Sequence, residues 1–219
     1  MTSKGFIFDL DGVIVDTAKY HFMAWKRLAE LLGIGFSNEL IEQFKGVSRV
    51  RCLEILLLNS NYEFTSYEFE KWLVEKNKIY LELISRVDET VILPGVMNVM
   101  NFLRSESIPM AIGSASKNAK RILSQVGIDT FFDAIVDGNV VSEAKPDPEV
   151  FRIAAEQIRM DSKDCIVFED SMAGIEAANR AGMTSIAIGK SNKLSKAHYR
   201  FNDFTEIQIN FINQLIQKI

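Results

Sequence analysis

The sequence is short of the residues that soft-metal and redox chemistry need. It holds two cysteines, Cys52 and Cys165, and two histidines, His21 and His198. The cysteines share no metal-ligand spacing, and neither asks for an oxidising compartment. Cys165 opens an apolar run and reads as a buried thiol. Positive charge is not in excess: 25 Lys and Arg face 29 Asp and Glu, which leaves no electrostatic footprint for nucleic acid. No apolar run approaches the ~20 residues of a membrane span, and no leader pattern opens the chain. Low-complexity segments and repeats are missing too. These absences leave a soluble cytoplasmic protein as the expectation, with no nucleic-acid or membrane partner. No exposed apolar stripe demands a dimer, so a monomer is expected.

What is present is a globular composition. The 219 residues are 47% hydrophobic, enough for one large domain or two modest ones. The chain divides by pattern. Near the start, Phe6, Ile7 and Phe8 form a short apolar run without alternation, the pattern of a strand buried on both faces. From 18 to about 88 the spacing is helical throughout. Phe22, Trp25, Leu28, Ala29 and Leu32 share one face, 38–44 and 50–58 suit further helices, and Thr65 to Glu68 fits a capping box before a long helix. From Pro94 onward, helix and strand alternate. Helices over 96–106, 117–127, 148–159 and 172–181 each precede a strand, over 110–113, 134–137, 166–168 and 185–188. Such alternation predicts an α/β fold with a doubly wound parallel sheet. The tail from 204 to 219 reads as a strand fragment and a closing amphipathic helix.

Polar groups gather where these strands end. Asp9 and Asp11 follow the first strand, with Gly12 allowing a turn. Ser114, Ala115 and Ser116 follow the strand over 110–113. Lys145 sits in a loop stiffened by Pro146 and Pro148. Glu169 and Asp170 follow the strand over 166–168. Each signal alone has a plain structural explanation: a solvated acidic turn, a serine cap, a solvated lysine. Together they occupy the carboxyl ends of strands, where open α/β sheets bind ligands. Four carboxylates brought into one small volume repel unless a cation offsets them. A hard oxygen-bound dication suits that role, and Mg²⁺ suits a site shared with phosphate.

Asp9/Asp11, Ser114, Lys145 and Glu169/Asp170, in that order, resemble the four motifs of the haloacid dehalogenase superfamily. The insert after Asp11 resembles that superfamily's small helical cap. Further segments bring the chain closer to its β-phosphoglucomutase family: Asp16-Thr17-Ala18, Tyr20-His21-Phe22, Ala24-Trp25-Lys26, Lys45-Gly46-Val47-Ser48-Arg49, Ser114-Ala115-Ser116-Lys117-Asn118 and Glu169-Asp170-Ser171. Cys52 departs from the pattern, since that family can carry serine there, and the tail after Gly189 diverges.

The resemblance implies a Rossmann-like core of 1–16 and 89–219 with a helical cap of 17–88. It implies an Mg²⁺-dependent phosphotransferase that interconverts β-D-glucose 1-phosphate and glucose 6-phosphate through a bound bisphosphate. Asp9 would be the nucleophile and Asp11 the general acid and base, with Ser114 and Lys145 on the phosphoryl group and His21 tuning Asp11. Thr17, Trp25, Lys45, Gly46, Val47, Arg49, Lys76, Ala115, Ser116, Lys117 and Asn118 would bind substrate. Asp9, Asp11 through its backbone carbonyl, Glu169 and Asp170 would hold the metal, directly or through water. A phosphatase of small sugar phosphates is the alternative. A non-catalytic receiver-type switch also has an acidic pocket, a hydroxyl and a lysine, but it lacks a cap of this length.

Overall fold

The computed structural model describes residues 4–44, 47–58, 60 and 64–217. Six parallel strands form one sheet: β1 Gly5–Phe8, β2 Met110–Gly113, β3 Ala134–Val136, β4 Cys165–Glu169, β5 Thr184–Ile188 and β6 Tyr199–Phe201. Their order is β3-β2-β1-β4-β5-β6. The chain therefore winds away from β1 in one direction, then returns to its other edge. Ligands bind at the carboxyl ends beside such a reversal.

Burial explains the apolar runs. β1, β2 and β4 are buried along their whole length, as strands covered on both faces must be. On one face Phe8, Phe168 and Phe204 stack, with ring centroids 5.0 Å apart at each step. Strand β6 lies at 199–201, upstream of the expected fragment after Phe204. Residues 204–206 instead form a 3-10 turn, followed by a closing helix. Tyr199 and Phe201 both pack edge-on against Phe211 of that helix, a tertiary contact that short-range pattern does not reveal.

Nine helices complete the described residues. Four lie between β1 and β2: α1 Ala18–Leu31, α2 Asn38–Phe44, α3 Arg49–Leu58 and α4 Ser66–Leu83. The capping box forms as expected, with Thr65 and Glu68 bonding each other's backbone N–H. The others are α5 Val96–Ser105, α6 Ala119–Gln125, α7 Glu149–Gln157, α8 Met172–Arg180 and α9 Ile209–Gln217. Helices α1–α4 bury their own cluster, built on Trp25, Leu28, Phe44, Leu53, Leu56 and Trp72. Their ends also join the sheet's cluster through Ala24, Ile79, Tyr80 and Ile84. Gln125 at the end of α6 ties the chain leaving α4 to the core, donating to the carbonyls of Ile84 and Val87. No described helix is long and apolar enough to cross a membrane.

Candidate active site

Strand register assembles the first half of the site. Phe8 pairs with Ile112 on one side and Phe168 on the other, so Asp9 emerges between Gly113 and Glu169. Lys145 reaches this point from its loop and is 3% exposed. Its Nζ donates to Asp9 Oδ1 at 2.6 Å, Glu169 Oε1 at 2.7 Å and the Gly113 carbonyl at 2.9 Å. Burial alone would lower this ammonium, but the two carboxylates hold it above its ordinary value. Glu169 is fully buried, and its other oxygen accepts from the Ser171 N–H and hydroxyl. Any β-carbon at Gly174 would collide with that carboxylate, which explains glycine inside α8. Asp9 is pushed up to about 7, first by burial and then by Glu169, with Lys145 opposing.

The second half spans core and helical insert. Asp11 Oδ1 accepts from the buried Thr17 hydroxyl at 2.5 Å and lies 3.6 Å from His21 Nε2. His21 Nδ1 is 2.8 Å from Lys76 Nζ. With an ammonium at Lys76, Nδ1 accepts and Nε2 carries the proton that faces Asp11. The His21 ring stacks on Tyr80 at 3.9 Å. Burial pushes Asp11 up, but the His21 ring, Thr17 and Lys76 outweigh it and the net shift is downward. His21 is itself lowered by burial and by Lys76, with Asp11 opposing. Burial drives Lys76 down to about 7, with Arg49 adding to the effect.

These groups face one cleft of about 580 Å³, lined among others by Asp9, Asp11, His21, Trp25, Val47, Arg49, Cys52, Lys76, Ser114, Ala115, Ser116, Lys117, Lys145 and Asp170. The size suits a small ligand rather than a polymer. Cys52 brings little reactivity: burial holds its thiol at about 12, and Sγ donates to the Phe44 carbonyl.

A family model for haloacid dehalogenase-like hydrolases matches residues 3–182. The chain belongs to this family. Among family relatives, a β-phosphoglucomutase of Bacillus subtilis is 36% identical over 213 residues, covering 96% of this chain and 94% of that one. A phosphorylated carbohydrates phosphatase of Thermotoga maritima is 32% identical, covering 82% of each chain. The crystal structure of a β-phosphoglucomutase from Clostridium difficile superposes with a TM-score of 0.93 at 37% identity, covering 98% of this chain and 97% of that one.

In this haloacid dehalogenase-like chain most of the expected site residues meet in the cleft, and several take unexpected partners. Glu169, expected to hold the metal directly or through water, here turns its two oxygens to Lys145 and Ser171. It serves as the anchor of the lysine. Thr17 bonds Asp11 rather than facing the cleft. Ser114 Oγ accepts from the Ser116 N–H, and Ser116 Oγ from the Asn118 N–H. Asn118 turns its amide toward Asn77 on α4. Lys45 and Gly46 lie outside the described residues. Sequence reasoning gave no role to Asn77, Tyr80 or Ser171. Tyr80 was within reach, four residues after Lys76 on one helical stripe; nothing local marks Asn77.

The oxygen donors fit a hard dication. Asp9 and Asp170 line the same cleft, and Asp170 leans over Gly12, whose φ of +85° and missing β-carbon make room for it. Burial and the neighbouring Glu169 raise Asp9 despite Lys145, so a further cation beside it would favour its charged form. No three His, Cys, Asp or Glu side chains cluster as a cage among the described residues. Two carboxylates, a backbone carbonyl and water suit Mg²⁺, which keeps waters and shares substrate phosphates.

Proposed function

We propose that this protein interconverts β-D-glucose 1-phosphate and glucose 6-phosphate, with residues 17–88 acting as a cap over a catalytic core. Asp9 carries the phosphoryl group. The 6-hydroxyl of β-glucose 1-phosphate gives its proton to the Asp11 carboxylate as its oxygen attacks phosphorus, and Asp9 leaves as a carboxylate. The product is β-glucose 1,6-bisphosphate. After it turns end for end, Asp9 attacks the other phosphorus, and the departing C1 oxygen takes the proton back from Asp11. Asp11 suits the first step because it is ionised, and its contact with His21 suits the return. Lys145 and Ser114 hold phosphoryl oxygens while charge shifts between them. Mg²⁺, held by Asp9, Asp170 and the Asp11 carbonyl, would supply further charge compensation at the phosphoryl group.

One observation favours a mutase above a phosphatase. A bisphosphate that reacts in both orientations needs a seat for its idle phosphate. Arg49 lines the cleft from the insert, and its guanidinium makes no ion pair with a carboxylate among the described residues. Asn118 approaches the same point from the core. Guanidinium forks recognise phosphate bidentately. A phosphatase acting on sugar monophosphates has no use for a second seat.

The test is a phosphorus NMR time course with Mg²⁺, β-glucose 1-phosphate and a trace of the 1,6-bisphosphate. Glucose 6-phosphate should accumulate without free phosphate, because a covered site favours the sugar hydroxyl over water. Free phosphate as the main product would instead align the protein with its phosphatase relative.

A further inference from the structure

Asn77 links the two halves of the second phosphate seat. Its Oδ1 accepts from Arg49 Nη2 at 2.8 Å and from Asn118 Nδ2 at 3.1 Å. The three residues come from α4, the first turn of α3 and the residue before α6. Two donors converging on one atom identify it as the oxygen of the carboxamide. Its two lone pairs are then both in use.

The arrangement at Arg49 needs an explanation. A cation at the start of a helix opposes the helix dipole, and burial further disfavours its charge. Among the described residues no carboxylate compensates it. A carboxylate there would hold the side chain more tightly but cancel the charge a phosphate needs. A neutral carboxamide holds it without cancelling that charge. It engages one Arg49 N–H of five, and one of the two on Asn118 Nδ2, leaving the others for an anion.

We propose that Asn77 is a positioning residue for the idle phosphate, aligning Arg49 of the insert with Asn118 of the core. It does not touch the phosphate; it removes the disorder that a long arginine would otherwise lose on binding. The inference rests on the mutase reading.

Glucose 6-phosphate is the probe, with its dissociation constant measured by calorimetry. Asn77→Ala should weaken it about tenfold, roughly one charged hydrogen bond. Phosphoenzyme formation from acetyl phosphate, which has no second phosphate, should stay at the wild-type rate. In an Arg49→Ala background the same change should add little, since its main target is gone. Asn77→Leu, which keeps the volume without the acceptor, should behave like alanine, and melting temperatures of all variants should match the parent. Wild-type affinity in Asn77→Ala, a full tenfold loss added to Arg49→Ala, or an equal slowing with acetyl phosphate would each overturn the proposal. A wild-type protein that binds no glucose 6-phosphate would overturn the mutase reading, and this inference with it.

Discussion

Lys145 in the core and Lys76 in the helical insert are equally hidden, 3% and 2% exposed, yet their charges meet opposite surroundings. Lys145 lies against two carboxylates and a carbonyl and is held above its ordinary range. Lys76 lies against an imidazole and over the rings of Trp25 and Tyr80, 5.0 and 4.9 Å from their centroids, and falls to about 7. Burial penalises both ammoniums, so neighbours decide the outcome. The core lysine is a permanent charge that holds Asp9 in place. The other is a charge that can be gained or lost near neutrality, the property expected of a group that tunes an acid.

The largest effect should come from Lys145→Met. It strands Asp9 and Glu169 together in the core, and breaking a buried pair this way costs about 3–5 kcal/mol. Denaturant unfolding should show that loss, and phosphoenzyme labelling should fall to background. A variant as stable as wild type would mean that protonation of Asp9 absorbs the change, and the contrast between the lysines would weaken.

Lys76→Met should act in the opposite sense on stability. It removes a buried cation with no ion pair among the described residues, so unfolding should show no loss, while turnover falls about a hundredfold with the support of His21 and Asp11. Equal losses of stability and turnover would reduce Lys76 to a packing residue.

A pH series sharpens the same contrast. The folded-state value of Lys76 is about 7, against an ordinary 10.5. Between those values the unfolded chain holds the proton and the folded chain does not, so stability attributable to Lys76 rises with pH across that window. Lys145, raised in the folded state, contributes fully below 10.5 and loses its contribution only as pH rises through its higher value. Subtracting the unfolding free energies of Lys76→Met from those of wild type should therefore give a curve that climbs from pH 7 to 10. A flat difference would show that Lys76 stays charged in its pocket.

The smallest effect should come from Gln125→Ala, where core and insert join. Losing its bonds to the Ile84 and Val87 carbonyls should cost about 1 kcal/mol, with phosphoenzyme formation from acetyl phosphate unchanged. Slowed labelling would show that this join also shapes the core site.

Much of the site was legible because its motifs coincide with secondary-structure punctuation. Asp9, Ser114 and Glu169 each follow or end a run of fully buried strand residues, and parallel register then sets them side by side. Partner choice was not legible. Glu169 and Asp170 are consecutive, so alternation along an extended chain aims one at Lys145 and the other at the cleft; only the position of Lys145 reveals which. Asn77 carries no local signal, because its partners lie 28 and 41 residues away.

Local sequence thus determined the element types, the winding of the parallel sheet and the strand ends that carry carboxylates, since hydrophobic period and turn chemistry are short-range properties. Tertiary structure decided which carboxylate takes a lysine, which lysine keeps its charge, and how Asn77 joins α3 to the loop before α6. Those outcomes depend on desolvation and on partners brought close only by folding, and neither is written in the spacing of residues along the chain.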